Sequence, residues 1–426
     1  MSIFKDCDIR GIYGRELDQE DGYRVGRALA TMTQGSPFCV GGDVRLSTPA
    51  LKARLIQGLL DGGCRVLDLG VIATPVMYFA LNRLEVAGGA MVTASHNPPQ
   101  YNGVKFMLGH APVTREQMDR MAGIVARGDY RQGQGQLVPT PMLEAYRDFL
   151  VNRFGPEPKG LKVVVDAGNG SGGFYASFLE SLGAWVEGSQ FLEPDGHFPN
   201  HIPNPENKDA MASVSAAVKR VDADLGIIFD ADCDRAAIVD HTGKEINRNR
   251  LIALISAILL EEAPGATIVT DSVTSSGLSD FIREWGGEHY RYKRGYRNVI
   301  DEAVRLNQAG IDCPLAIETS GHAALRDNHF LDDGMYLVTV LLIKAMQMKQ
   351  QGKSLSSLLD GLREPVESTE IRLPVTCEDF AAAARQIIEY VLDYASSHED
   401  WHVAPDNREG VRISFDIDGE LNSAWF

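Results

Sequence analysis

At 426 residues the chain is too long for one hydrophobic core, and two to four domains are expected. Its 44% hydrophobic and 23% charged content is that of a globular protein, and a net charge of −17 speaks against nucleic acid or an anionic membrane as a main partner. A phosphorylated substrate is not excluded, because screening over roughly 8 Å lets a few local cations decide what a cleft binds.

The start, "MSIFKDCDIRG", is too polar for a signal peptide. Next in chain order, "PFCVGGDVRLSTP" (37–49) reads as an apolar strand ending in a polar loop before the helical "ALKARLIQGLLDGG". "LKVVVDAGNGSGG" (161–173) does the same before "FYASFLESLG", and "ATIVTDSVTSSG" (266–277) before "LSDFIREWGG". Alternating elements of this kind imply three similar α/β domains with parallel or mixed sheets, and ligands beyond the strand ends. The longest apolar run, "LIALISAILL" (251–260), is too short to span a bilayer. Pro-containing breaks at "LVPTPM" (137–142) and "LREPVEST" (362–369) mark boundaries. Beyond about residue 370, "STEIRLPV" and "GVRISFDI" read as strands of a smaller α+β domain around the helical "EDFAAAARQIIEYVLDYASS". The expected domains are residues 1–139, 140–243, 244–362 and 363–426. Six scattered cysteines without a C-x-x-C pair suit reduced thiols in a cytoplasm.

Several segments carry the residues of a reaction site. In "TASHNPPQYNG" (93–103), Pro98 and Pro99 forbid helix or central strand, so Ser95 is expected on a stiff loop, as a reacting hydroxyl or in an ordinary turn. His96 is expected to orient the loop, since adjacent side chains diverge in extended backbone. Lys105, on the strand after the loop, either returns to the site or lies exposed. In "DLGIIFDADCDRAAIVD" (224–240) a strand ends in Asp230, Asp232 and Asp234, whose converging charges call for a cation, and oxygen-only ligands suit Mg²⁺. The EF-hand pattern fails, with Arg235 at the sixth position and His241 at the twelfth. An aspartate-nucleophile phosphatase signature, D-x-D-x-T, meets Asp234 in place of Thr and would make Asp230 the nucleophile. Gly168, Gly170 and Gly173 with Glu187 imitate a dinucleotide fingerprint, or a tight turn. "RYKRGYRNV" groups Lys293, Arg294 and Arg297, which pair with a phosphate or solvate a surface. Glu318, Ser320 and His322 surround Gly321, a set able to bond vicinal sugar hydroxyls or to form a polar turn.

In this order the segments resemble the α-D-phosphohexomutase family: "TASHNPPQYNGVKF" its phosphoserine loop, "DADCDR" its metal loop, "IETSGH" its sugar-binding loop, "FKDCDIRGIYG" its N-terminal D-I-R-G segment and "KRGY" its specificity turn. The resemblance implies three related α/β domains and a smaller fourth around a central cleft. It implies a phosphoryl group on Ser95, Mg²⁺ at Ser95, Asp230, Asp232 and Asp234, and proton transfer by Lys105 or His322. Arg10 and Arg235 would stabilise developing charge, and Glu318, Ser320, Lys293, Arg294 and Tyr296 would hold the substrate. The reaction implied is hexose 1-phosphate to hexose 6-phosphate, mannose or glucose, through a hexose 1,6-bisphosphate that also serves as activator. Pro99 leans away from phosphoglucosamine mutase. A phosphatase acting through Asp230 and a non-catalytic sugar-phosphate binder are the other classes. A monomer or homodimer is expected. Cys7 stands where many members have Tyr, and Tyr296 where bacterial relatives often have His. The family's phosphate-clamping loop would follow Phe426, so it is expected to be missing from these residues.

Overall fold

A computed structural model describes residues 3–154, 158–371, 373–377, 379–417 and 420–426. The chain divides into two compact units, Met1–Leu251 with Ser320–Leu358, and Ile252–Thr319 with Leu359–Phe426.

The first unit opens with a mixed sheet. Phe38–Gly42 lies parallel to both Arg65–Val71 and Gly88–Val92, while Tyr101–Leu108 runs antiparallel to Gly88–Val92 and to Asp8–Ile12. The helices Gln19–Met32 and Thr48–Asp61 cover it. Asp18 starts the first of them with a capping box to Asp21. They cross so closely that a Cβ on Gly26 would lie 2.2 Å from the Leu55 carbonyl oxygen, so only glycine permits the contact. A second sheet has the order Glu245–Ile246, Ala236–Asp240, Leu225–Phe229, Val163–Asp166. Leu225–Phe229 is buried along its whole length, as a strand covered on both faces should be. The unit also holds the antiparallel pair Ala323–Leu325 and Leu331–Asp332 and the buried helix Gly334–Gln350.

In the second unit, Thr267–Asp271 lies parallel to Glu288–Tyr292 and to Leu315–Ile317, with helices Ser276–Glu284 and Tyr296–Gln308. A smaller assembly follows: the helix Phe380–Ser396 and the antiparallel strands Trp401–Val403, Arg412–Ile417 and Glu420–Trp425. The architecture is thus the expected one of α/β domains and a smaller C-terminal α+β domain. "GVRISFDI" forms its strand, but "STEIRLPV" does not. Residues 368–371 and 373–375 are irregular, and Ile371, Leu373 and Val375 are 77%, 81% and 45% exposed. Among the described residues no strand pairs with this segment, and alternation alone is not enough to make one. Arg372 lies outside the described residues.

Candidate active site

Ser95 follows the strand Gly88–Val92 on a loop, is 4% exposed, and has φ +50°. The left-handed region costs a residue with a side chain roughly 1–2 kcal/mol, so the surroundings must hold it. The Thr93 hydroxyl accepts from the Ser95 N–H (2.9 Å) and donates to Asp43 (2.8 Å), while the Asn97 amide donates to the Ala94 carbonyl (2.9 Å). This backbone corrects one expectation. The side chains of Ser95 and His96 do not diverge, because Ser95 is not extended: its Oγ lies 3.2 Å from His96 Nδ1. Burial, with Arg235 and Arg10 nearby, pushes His96 down to about 2, so the imidazole is neutral.

Asp230, Asp232 and Asp234 follow the strand Leu225–Phe229 and are all buried, with carboxylate oxygens within 4.8 Å of one another. The Ser95 hydroxyl donates to Asp230 Oδ2 at 2.9 Å. Arg235 Nε and Nη2 donate to the same oxygen at 3.2 and 3.1 Å. Lys105, buried on Tyr101–Leu108, donates to Asp232 Oδ2 at 2.8 Å and also to Asp234. Thr74 binds Asp232 twice, by its hydroxyl to Oδ2 (2.7 Å) and by its N–H to the carbonyl (2.8 Å). Burial and the two neighbouring carboxylates raise Asp230 to about 7. Burial would raise Asp232 too, but the Lys105 ammonium and the Thr74 hydroxyl hold it below the ordinary range. Lys105 is raised well above its ordinary value: burial opposes its charge, and Asp232 and Asp234 overcome that opposition.

Among the described residues, Asp232 Oδ1 and Asp234 Oδ1 are buried without a hydrogen-bond partner. Buried carboxylate oxygens left in this way are costly unless a cation meets them. The donors are all oxygen, which fits a hard divalent ion.

His322 lies in the same unit, with a backbone bridge to Arg235 and its Nδ1 2.6 Å from Asp332 Oδ2. Burial opposes the imidazolium, but Asp332 and Asp234 prevail and raise it to about 9. Arg10 pairs with Asp8 at 2.6 Å, and its charge reaches His96 and Arg45.

The remaining predicted residues lie mostly in the second unit. Lys293 and Arg294 are exposed on the turn after Glu288–Tyr292, and Tyr296 opens the following helix. Two carboxylates hold that turn by its backbone: Arg294 N–H donates to Glu409 and Gly295 N–H to Glu318, both at 2.6 Å. Glu409 also accepts from the Ser272 hydroxyl (2.6 Å). Arg297 pairs with Asp301 at 3.0 Å. The boundary between the units falls between Thr319 and Ser320, within the segment the sequence presents as a single loop.

Sequence reasoning missed Asp43, Arg45, Thr74 and Asp332. For Asp43 and Arg45 there was a local signal: "GGDVRLST" sets two charges between a buried strand and a Thr-Pro helix start, a place where unpaired charge is costly.

Three family models, described as "Phosphoglucomutase/phosphomannomutase, alpha/beta/alpha domain" I, II and III, match residues 1–132, 144–243 and 247–366. The chain belongs to the phosphoglucomutase/phosphomannomutase family. A phosphomannomutase/phosphoglucomutase of Pseudomonas putida is 34% identical over 97% of this chain and 87% of its own. One from Pseudomonas aeruginosa is 36% identical over 88% and 80%. A crystal structure of a phosphoglucomutase/phosphomannomutase family protein from Burkholderia thailandensis has a TM-score of 0.84 at 31% identity, covering 99% of this chain and 93% of that one. Against the common phosphohexomutase loop D-G-D-G-D-R, this chain has Ala231 and Cys233, the latter buried at φ +64°. The glycine-rich 168–173 segment serves close backbone approach, since a Cβ on Gly173 would lie 1.8 Å from the Leu192 carbonyl oxygen.

Proposed function

We propose that the chain interconverts hexose 1-phosphate and hexose 6-phosphate, of mannose or glucose, through phosphoserine 95 and a hexose 1,6-bisphosphate. The observation that carries the reading is the buried Ser95 hydroxyl, 2.9 Å from Asp230 within a cluster of three aspartates, Lys105 and Arg235. Asp230, Asp232, Asp234 and the Ser95 phosphoryl group would hold Mg²⁺. Bound there, the ion supplies positive charge against the transferring group.

Phosphoryl transfer needs positioning and neutralisation more than covalent novelty. The bond from Ser95 Oγ to phosphorus breaks as a sugar oxygen bonds to it. The sugar hydroxyl loses a proton, and Ser95 Oγ gains one. Lys105 and His322 hold protons at neutral pH in this structure, which suits the acid's part of that exchange. Arg235 and Arg10 offset charge at the serine, and Glu318 and Ser320 hold sugar hydroxyls. Lys293, Arg294 and Tyr296 read the sugar's outer end, on the strength of their motif. The bisphosphate then turns and returns its other phosphoryl group to Ser95, and it is the activator when supplied.

The scattered cysteines without a C-x-x-C pair support a cytoplasmic location, and a monomer or homodimer is proposed; among the described residues no helix is long and apolar enough to cross a membrane. The phosphatase reading is disfavoured because Asp230 Oδ2 already accepts from Ser95 and Arg235. Intact-mass measurement with phosphosite mapping after incubation with glucose 1,6-bisphosphate tests the proposal. Phosphate on Ser95 supports it, an acid-labile phosphate on Asp230 supports the phosphatase, and no label leaves a binder.

A further inference from the structure

We infer that Arg45 is the positioning residue that fixes Ser95 for transfer; the inference rests on the phosphoserine reading above. Its side chain is wholly buried, and all five of its guanidinium N–H groups are engaged. Nε donates to Asp43 Oδ2 at 3.1 Å. Nη1 donates to the carbonyls of Pro98 (2.8 Å) and Tyr101 (3.0 Å), and Nη2 to those of Ser95 (2.5 Å) and Asn97 (2.6 Å). Three of the five bonds therefore end on the backbone of the reacting loop, one of them on Ser95 itself, and a fourth on Tyr101, where the next strand begins.

The loop gives this guanidinium something only it can collect. Residues 93–100 are in neither helix nor strand. The carbonyls of Asn97 and Pro98 belong to tertiary amides whose nitrogens are those of Pro98 and Pro99, so these peptide units accept and cannot donate. Arg45 gathers them and passes the constraint to Asp43, which also accepts from Thr48 Oγ1 (2.7 Å) and Thr93 Oγ1 (2.8 Å). Asp43 follows the strand Phe38–Gly42, and Thr48 begins the helix Thr48–Asp61, so a strand and a helix anchor the fork. The Phe198 ring lies 5.1 Å from the guanidinium carbon. A lysine at this position has three donors in a different geometry and cannot serve five acceptors.

The wild type is first incubated with glucose 1,6-bisphosphate, and phosphate on Ser95 is followed by intact mass. If it never labels, the phosphoserine reading itself is wrong, whatever the variants do. If it labels, Arg45→Lys and Asp43→Asn are compared by single-turnover labelling, and by calorimetric binding of glucose 1-phosphate to the dephosphorylated protein. The expected result is labelling about 100-fold slower for Arg45→Lys and about tenfold slower for Asp43→Asn, with sugar-phosphate Kd within threefold of wild type. Labelling within threefold of wild type in folded Arg45→Lys, or a loss of binding as large as the loss of labelling, overturns the assignment. If Arg45→Lys does not fold, Asp43→Asn decides by the same two measurements.

Discussion

The loops assigned to chemistry and the loops assigned to the sugar are built differently. Around Ser95 and the three aspartates nearly every group is buried and cross-braced by side chains: Thr93, Arg45, Thr74, Lys105 and Arg235. The turn 293–296 presents exposed Lys293 and Arg294, and carboxylates meet its backbone N–H groups while Asn298 donates to its carbonyls. Buried, heavily braced groups keep one geometry, whereas the exposed side chains of Lys293 and Arg294 have more room to vary. Phosphoryl transfer calls for the first arrangement, and recognition of a sugar offered in two orientations calls for the second.

The contrast can be broken from its strong side first. Ser95→Ala is expected to lower turnover at least about 1,000-fold, about 4 kcal/mol in barrier, with little change in sugar-phosphate binding. A variant within tenfold of wild type would place the nucleophile elsewhere. Asp232→Asn and Asp234→Asn are each expected to cost about 100-fold in kcat and to weaken Mg²⁺ binding in calorimetry; unchanged Mg²⁺ affinity would remove the metal from this cluster. On the weak side, Glu409→Ala removes the anchor of the Arg294 N–H and the Ser272 hydroxyl. It is expected to raise KM about tenfold, about 1.4 kcal/mol, and to alter the mannose-to-glucose preference, with kcat kept. A fall in kcat with constant KM would show the turn to be as rigidly tied to chemistry as the serine loop.

The smallest effect is in stability. His322 in the metal-free protein is raised from 6.5 to about 9 by Asp332 and Asp234 against burial. A histidine with a raised folded-state pKa contributes its full stability below its unfolded value, about 6.5, and loses it as pH rises through about 9. The melting temperature of wild type is therefore expected to fall about 2 °C more between pH 6.5 and 9 than that of His322→Asn. Parallel curves would mean that the pair stores no such energy.

Much of the fold was legible because strand, polar loop and helix follow one another in clear periods, and Asp230, Asp232 and Asp234 stood out as charges at the end of an apolar strand. What stayed hidden was what depends on distance along the chain. The left-handed turn at Ser95 is held by neighbouring Thr93 and, from outside the loop, by Arg45. Arg45 meets that loop some 50 residues away and Thr74 meets Asp232 across 158, contacts that no local pattern encodes. "STEIRLPV" failed for the opposite reason: its local pattern was right, but among the described residues no strand pairs with it.

The pairing of Lys105 with Asp232 and Asp234 has a consequence for how the molecule matures. Three buried carboxylates would repel one another in a freshly made chain with no ion to hand. Here Lys105 and Arg235 bring compensating charge within the polypeptide, and Asp230, at about 7, is partly neutral by its own proton. The newly synthesised protein carries its own provisional counter-ions. The cluster is therefore largely charge-compensated before any cation binds.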